Sequence, residues 1–315
     1  GDTRPPSPLV IRLMDHVPAE CACAAVLPSD LMYPQDDREI YMFQRWMVRD
    51  AVIAGLLTVM ISGCSDDDNP ASSQDLDGEG IELVALGSLD AAGVRVTLHG
   101  PEMLTSGYTP FEVELTDAST GVAIEYAQVK LMPMMHMQMD DGMMSHSAPT
   151  EPPETMEADE DGCFENPVVL TMPGSWELQV MFSEADGKQG SVTFDLEVEA
   201  GDRLLRLTGD DGSPYFIALV EPYEMTVGRL DMELAIFTKE TMMSFPAVTD
   251  LQIGMEPTMP SMGHGSPGNE DPLHEGDGHY EGEVNFTMTG EWRIDLTLTR
   301  GDATVATTYF DVLVE

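Results

Sequence analysis

Leu170-Thr171-Met172-Pro173-Gly174-Ser175-Trp176-Glu177-Leu178-Gln179-Val180 has a near copy at Phe286-Thr287-Met288-Thr289-Gly290-Glu291-Trp292-Arg293-Ile294-Asp295-Leu296, offset by 116 positions. In each, a short apolar run meets a glycine turn, after which apolar and polar side chains alternate. That is the period-2 pattern of a strand with one buried face. The correspondence continues upstream at the same offset, Gly162-Cys163-Phe164-Glu165 answering Gly278-His279-Tyr280-Glu281. A constant offset over this length reads as the duplication of one domain.

Working outward, alternating segments flank both copies: Val94–Leu98, Phe111–Leu115, Ala127–Leu131 and Val192–Leu196 around the first, Tyr215–Leu219, Leu230–Leu234 and Val305–Phe310 around the second. Six or seven short strands in about 100 residues point to an immunoglobulin-like sandwich. The expected fold is all-β: two tandem immunoglobulin-like β-sandwich domains, 89–200 and 201–315, after a signal and tether region. Trp176 and Trp292, equivalent in the two copies, are expected to anchor the cores.

Ahead of each copy lies a segment rich in methionine and histidine. The first is Met132-Pro133-Met134-Met135-His136-Met137-Gln138-Met139, continuing to Met143-Met144-Ser145-His146-Ser147-Ala148-Pro149. The second is Met255-Glu256-Pro257-Thr258-Met259-Pro260-Ser261-Met262-Gly263-His264-Gly265-Ser266-Pro267, with His274 and His279 downstream. Thioether sulfur is soft and imidazole borderline, so the pair suits copper better than zinc, magnesium or calcium. Met at nearly every second position beside Asp140 and Asp141 is hard to read as core, and both segments are expected to be exposed loops.

The formal net charge is −43, with 57 Asp and Glu against 14 Lys and Arg. No basic patch exists to neutralise phosphates, which excludes nucleic acid as a partner. Surface carboxylates of this density serve solubility. The four cysteines show no CxxC pair and no zinc-type spacing. No Gly-x-Ser-x-Gly elbow, phosphate loop or His-Glu-x-x-His motif occurs, and Cys163 lacks the Cys-to-His spacing of blue copper proteins, so no enzyme is expected.

Near the start, Arg45 and Arg49 flank an apolar run, Ala51 through Ile61, followed by Ser62-Gly63-Cys64. The run is too short to span a bilayer but suits the apolar region of a secretory signal. Ile61-Ser62-Gly63-Cys64 resembles the lipobox of bacterial lipoproteins, in which the cysteine is acylated. The expectation is an extension over 1–41 foreign to the working protein, a signal peptide over 42–63, lipidation at Cys64, and a polar tether over 64–88.

With these residues in view, roughly 90–315 resembles the YtkA-like and FixH-like family of exported β-sandwich domains. The resemblance rests on 132–137 and on Met259 through His264, Asp271-Pro272-Leu273-His274, Gly278-His279-Tyr280 and Val284 through Trp292, the second copy being the closer match. It implies a domain facing the periplasm or cell surface that handles copper on the way to a metalloprotein acceptor; the lipobox, separately, implies a membrane met through the lipid anchor alone.

The candidate ligands are Met134, Met135, His136, Met137, Met139, Met143, Met144 and His146 in the first segment and Met259, Met262, His264 and His274 in the second. His279 is expected to close a Met262/His264 site that takes Cu(II) through imidazole and Cu(I) through thioether. Its duplicate Cys163 would close a softer site with His146, or else be a small buried side chain. The competing reading is a non-catalytic envelope spacer whose Met-rich loops dock a partner protein.

Overall fold

The computed structural model describes residues 81–139, 142–153 and 155–315. The extension, the signal, Cys64 and most of the tether lie outside them. All regular structure among the described residues is β, in agreement with the all-β, sandwich-forming reading. No helix there is long and apolar enough to cross a membrane.

The first sandwich is built from β1 (Leu83–Ala91), β2 (Val94–Pro101), β3 (Gly107–Thr109), β4 (Glu112–Asp117), β5 (Ala127–Met139), β6 (Gly142–His146), β7 (Cys163–Glu165), β8 (Val168–Leu170), β9 (Gly174–Glu184) and β10 (Gln189–Val198). One sheet runs β1-β2-β4-β7 and faces another running β10-β9-β5-β6, while β3 and β8 pair separately. The second sandwich comprises β11 (Leu204–Thr208), β12 (Pro214–Glu221), β13 (Gly228–Thr238), β14 (Gln252–Met259), β15 (His264–Gly265), β16 (Glu270–Gly276), β17 (His279–Phe286), β18 (Gly290–Arg300) and β19 (Ala303–Val314). Its sheets run β11-β12-β13-β17-β16 and β15-β14-β18-β19.

Each sandwich encloses its own core. Leu98, Leu115, Leu178 and Trp176 fill the first, and Ile217, Leu234, Leu296 and Trp292 the second. Both tryptophans are 1 % exposed, and each indole N–H donates to a backbone carbonyl four residues earlier, Met172 O at 3.0 Å and Met288 O at 2.9 Å. A buried indole needs that partner. A third, small cluster joins Val169 of the first sandwich to Ala218, Ala235 and Phe237 of the second.

Two expectations are corrected. The first sandwich begins at Leu83, inside the stretch read as tether, because β1 pairs with β2 along its length and Leu86 packs on the core. The methionine segments are not free loops: β5 runs on through Met139 and returns as β6, and β14 turns at 260–263 into β15. Gly263, at φ 66°, supplies the left-handed residue that closes this second hairpin.

Candidate metal centre

The hairpin register decides which donors meet. Met135 lies opposite His146 on β6 and opposite Trp176 on β9. Side chains directly opposite share a face, and alternate residues along β5 return to it. Met135, Met137 and Met139 therefore share the inner face with Met144, which opposes Met137, and with His146. Met134, His136 and Met143 fall on the outer face, where His136 Nδ1 meets Ser145 Oγ at 2.7 Å and Nε2 lies 3.6 Å from Glu177.

Met135 is 4 % exposed and its side chain belongs to the core, contrary to the expectation that these methionines have no buried face. Met137 packs partly against the same core. The ring of His146 sits edge-on to Trp176, centroids 5.3 Å apart at 86°. His146 is itself 6 % exposed. Its Nδ1–H donates to the Ser147 carbonyl at 2.9 Å, while Nε2 is buried without a hydrogen-bond partner among the described residues. That bond sets the tautomer: Nδ1 holds the proton, and the Nε2 lone pair faces the interior unused. Such an atom costs free energy unless something binds it.

The second sandwich repeats the arrangement. Met259 lies opposite His264, one step along from the Thr258–Arg293 pair that leads to Trp292. His264 is edge-on to Trp292 at 6.0 Å and 72°. Met259 is buried, whereas His264 is exposed and Met262 is 61 % exposed. A glycine makes room in both copies: a Cβ on Gly174 would stand 3.1 Å from the Met135 methyl, and one on Gly290 3.2 Å from that of Met259, at φ of 128° and 129°. Gly290→Ala is expected to lower stability by roughly 1–3 kcal/mol, read as a fall in the thermal midpoint.

Three expected ligands are placed elsewhere. His279 opens β17, whose far end, Phe286, touches Trp292 at 5.5 Å. Seven extended residues separate them by about 23 Å, so His279 cannot close a site with Met262 and His264. Its ring instead bridges the two sandwiches, Nε2 to Glu151 at 2.9 Å and Nδ1 to Glu233, with Tyr108 edge-on at 5.9 Å. Tyr108 in turn donates to Glu151 at 2.8 Å. Burial opposes charge on His279, but hydrogen bonds and charge from the two carboxylates outweigh it and push the imidazole up to about 10. Burial, then Glu151, holds the Tyr108 phenol well above its usual range.

Cys163, the duplicate of His279, lines the same interface cavity of about 1060 Å³ and does not join His146. Burial and then Glu112, Asp159, Glu114 and Asp161 push its thiol up to about 12, which keeps it neutral and a poor soft ligand. His274 is exposed on β16, its ring 5.2 Å from that of Tyr280. Among the described residues no three His, Cys, Asp or Glu side chains converge as a metal cluster. Any donor set at His146 or His264 would have to be completed by thioether. The sequence reading had both histidines and their methionines, but took the tryptophans only as core.

A search of curated proteins finds no match. Among solved structures the chain is similar to the Escherichia coli adhesin FdeC, at 12 % identity over 75 % of this chain and 87 % of that one, TM-score 0.24. It is also similar to domains 5–6 of the S-layer protein SbsC, at 12 % identity over 74 % and 99 %, TM-score 0.27. Scores this low carry nothing about function. Residues 212–297, the body of the second sandwich, match the family model described as YtkA-like.

Proposed function

We propose that this chain is an exported, non-catalytic copper carrier made of two YtkA-like sandwiches, anchored by lipid at Cys64, that passes copper to an acceptor protein. The observation that supports the reading is the orphaned Nε2 of buried His146 on a face shared with Met135, Met137 and Met144. A neutral imidazole nitrogen among thioethers suits Cu(I) and offers little to Zn(II) or Ca(II). His264 with Met259 and Met262 forms a second, more open set in which exposed donors can be exchanged one at a time. Transfer is then ligand replacement, with no bond made or broken in the protein.

Anaerobic competition of the full chain against a Cu(I) chelator, with Zn(II) alongside, tests this. Two Cu(I) per chain are expected, bound far more tightly than zinc. Binding no stronger than an acidic surface gives would defeat the proposal. It would favour the alternative to which exposed Met143 and Met262 also lend themselves, an envelope module whose methionines dock a partner.

A further inference from the structure

We propose that Met242 and Met243, carried by the second sandwich, complete the soft-donor set around His146 in the first. The inference rests on the copper reading above and names two ligands that the hairpin itself does not supply.

The turn between β13 and β14 reaches across to the edge of β6. There the amide of Ser147, the residue after His146, donates to the carbonyl of Met242 at 2.8 Å. Residues joined by such a bond have Cα atoms about 5 Å apart, a distance that a methionine side chain spans. Met242 and Met243 are 42 % and 52 % exposed, so neither is held by a core. The turn beneath them is nevertheless well fixed. Glu240 N donates to Ser244 O at 3.0 Å, Met243 N to Thr241 Oγ1 at 3.1 Å, and Ser244 Oγ to Glu240 at 3.1 Å. Phe245 then packs edge-on against Phe216, centroids 5.6 Å apart. Two adjacent thioethers are thus presented on a pre-organised turn beside a histidine whose inner nitrogen has no partner among the described residues, an arrangement that lowers the ordering cost of binding.

The duplicate supplies an internal contrast. The corresponding turn of the first sandwich, 118–126 between β4 and β5, contains no methionine. At the His264 edge the backbone bond beside the histidine stays within its own hairpin, Ser266 N to Pro257 O at 3.1 Å, and the two sites become unequal: one closed across the interface, one open.

The experiment uses the full chain carrying His264→Ala, so that a single site is read. In that background Met242→Leu with Met243→Leu, a near-isosteric change at exposed positions, is expected to weaken Cu(I) about tenfold or more, in line with the effect of losing metal-site partners. It should also reduce the number of sulfur neighbours seen by X-ray absorption at copper. If affinity and sulfur count stay unchanged while His146→Ala abolishes binding, the interface ligands are wrong and the His146 site stands. If His146→Ala is itself without effect, the underlying copper site fails and this inference with it.

Discussion

Alanine at His279 is expected to cost about 3 kcal/mol of stability at pH 7, the lower end of what breaking a buried ion pair costs. The imidazolium is 17 % exposed and holds Glu151 of one sandwich and Glu233 of the other. Removing it leaves two carboxylates facing each other with no cation between them. The pH dependence carries a sign that checks the assignment. The folded-state imidazole is raised to about 10, above its ordinary 6.5, so its contribution is complete below about pH 6.5. It is lost as pH rises toward 10. Urea or thermal unfolding followed from pH 6.5 to 10 should show the wild type losing an increment of stability that His279→Ala lacks. Equal slopes in the two proteins would show that the clamp is not charged.

The second large effect is at His146. His146→Ala is expected to lower Cu(I) affinity at the first site on the order of 100-fold or more, since even groups one step removed from a metal ligand are worth 10–100-fold. His264→Ala should cost the second site less, because an exposed ring is not pre-oriented by burial and its Nδ1 contact to Gly265 O is a long 3.3 Å. A His146→Ala variant without its orphaned nitrogen should keep its fold. Loss of copper with an unchanged circular dichroism spectrum would separate ligation from packing.

Much of the architecture was legible because it is local or repeated. The 116-residue offset and the alternation after Gly174 and Gly290 mark β9 and β18, and Trp176 and Trp292 stand where core anchors were expected. The methionine hairpins were not legible. Methionine is not among the residues enriched in strands, so 132–139 looked like a loop although Met135, Met137 and Met139 already stood at alternate positions. The same alternation explains why Met135 became core while His136 stayed outside.

The donor set at His146 was only half visible. The histidine and its methionines are in one stretch, but the pairing that puts Met135 and Trp176 beside it depends on strand register. Placing His279 beside Met262 and His264 missed for a different reason. Its partner Glu151 lies 128 residues away, on the other sandwich, and no local pattern announces a contact of that range. The one available hint was that its duplicate is cysteine.

That divergence has an architectural outcome. A head-to-tail contact between identical units has no natural end and, repeated, grows into a fibre. Here the acceptor carboxylate Glu151 is matched, counting from His264, by Asn269, and the bridging imidazole is matched by Cys163. The second sandwich therefore offers no Glu151 to a third copy, and the first offers no His279 to a preceding one. The two halves of this joint thus occur once each in the pair, so the contact joins these two sandwiches to each other and is not one that either can repeat through the same residues.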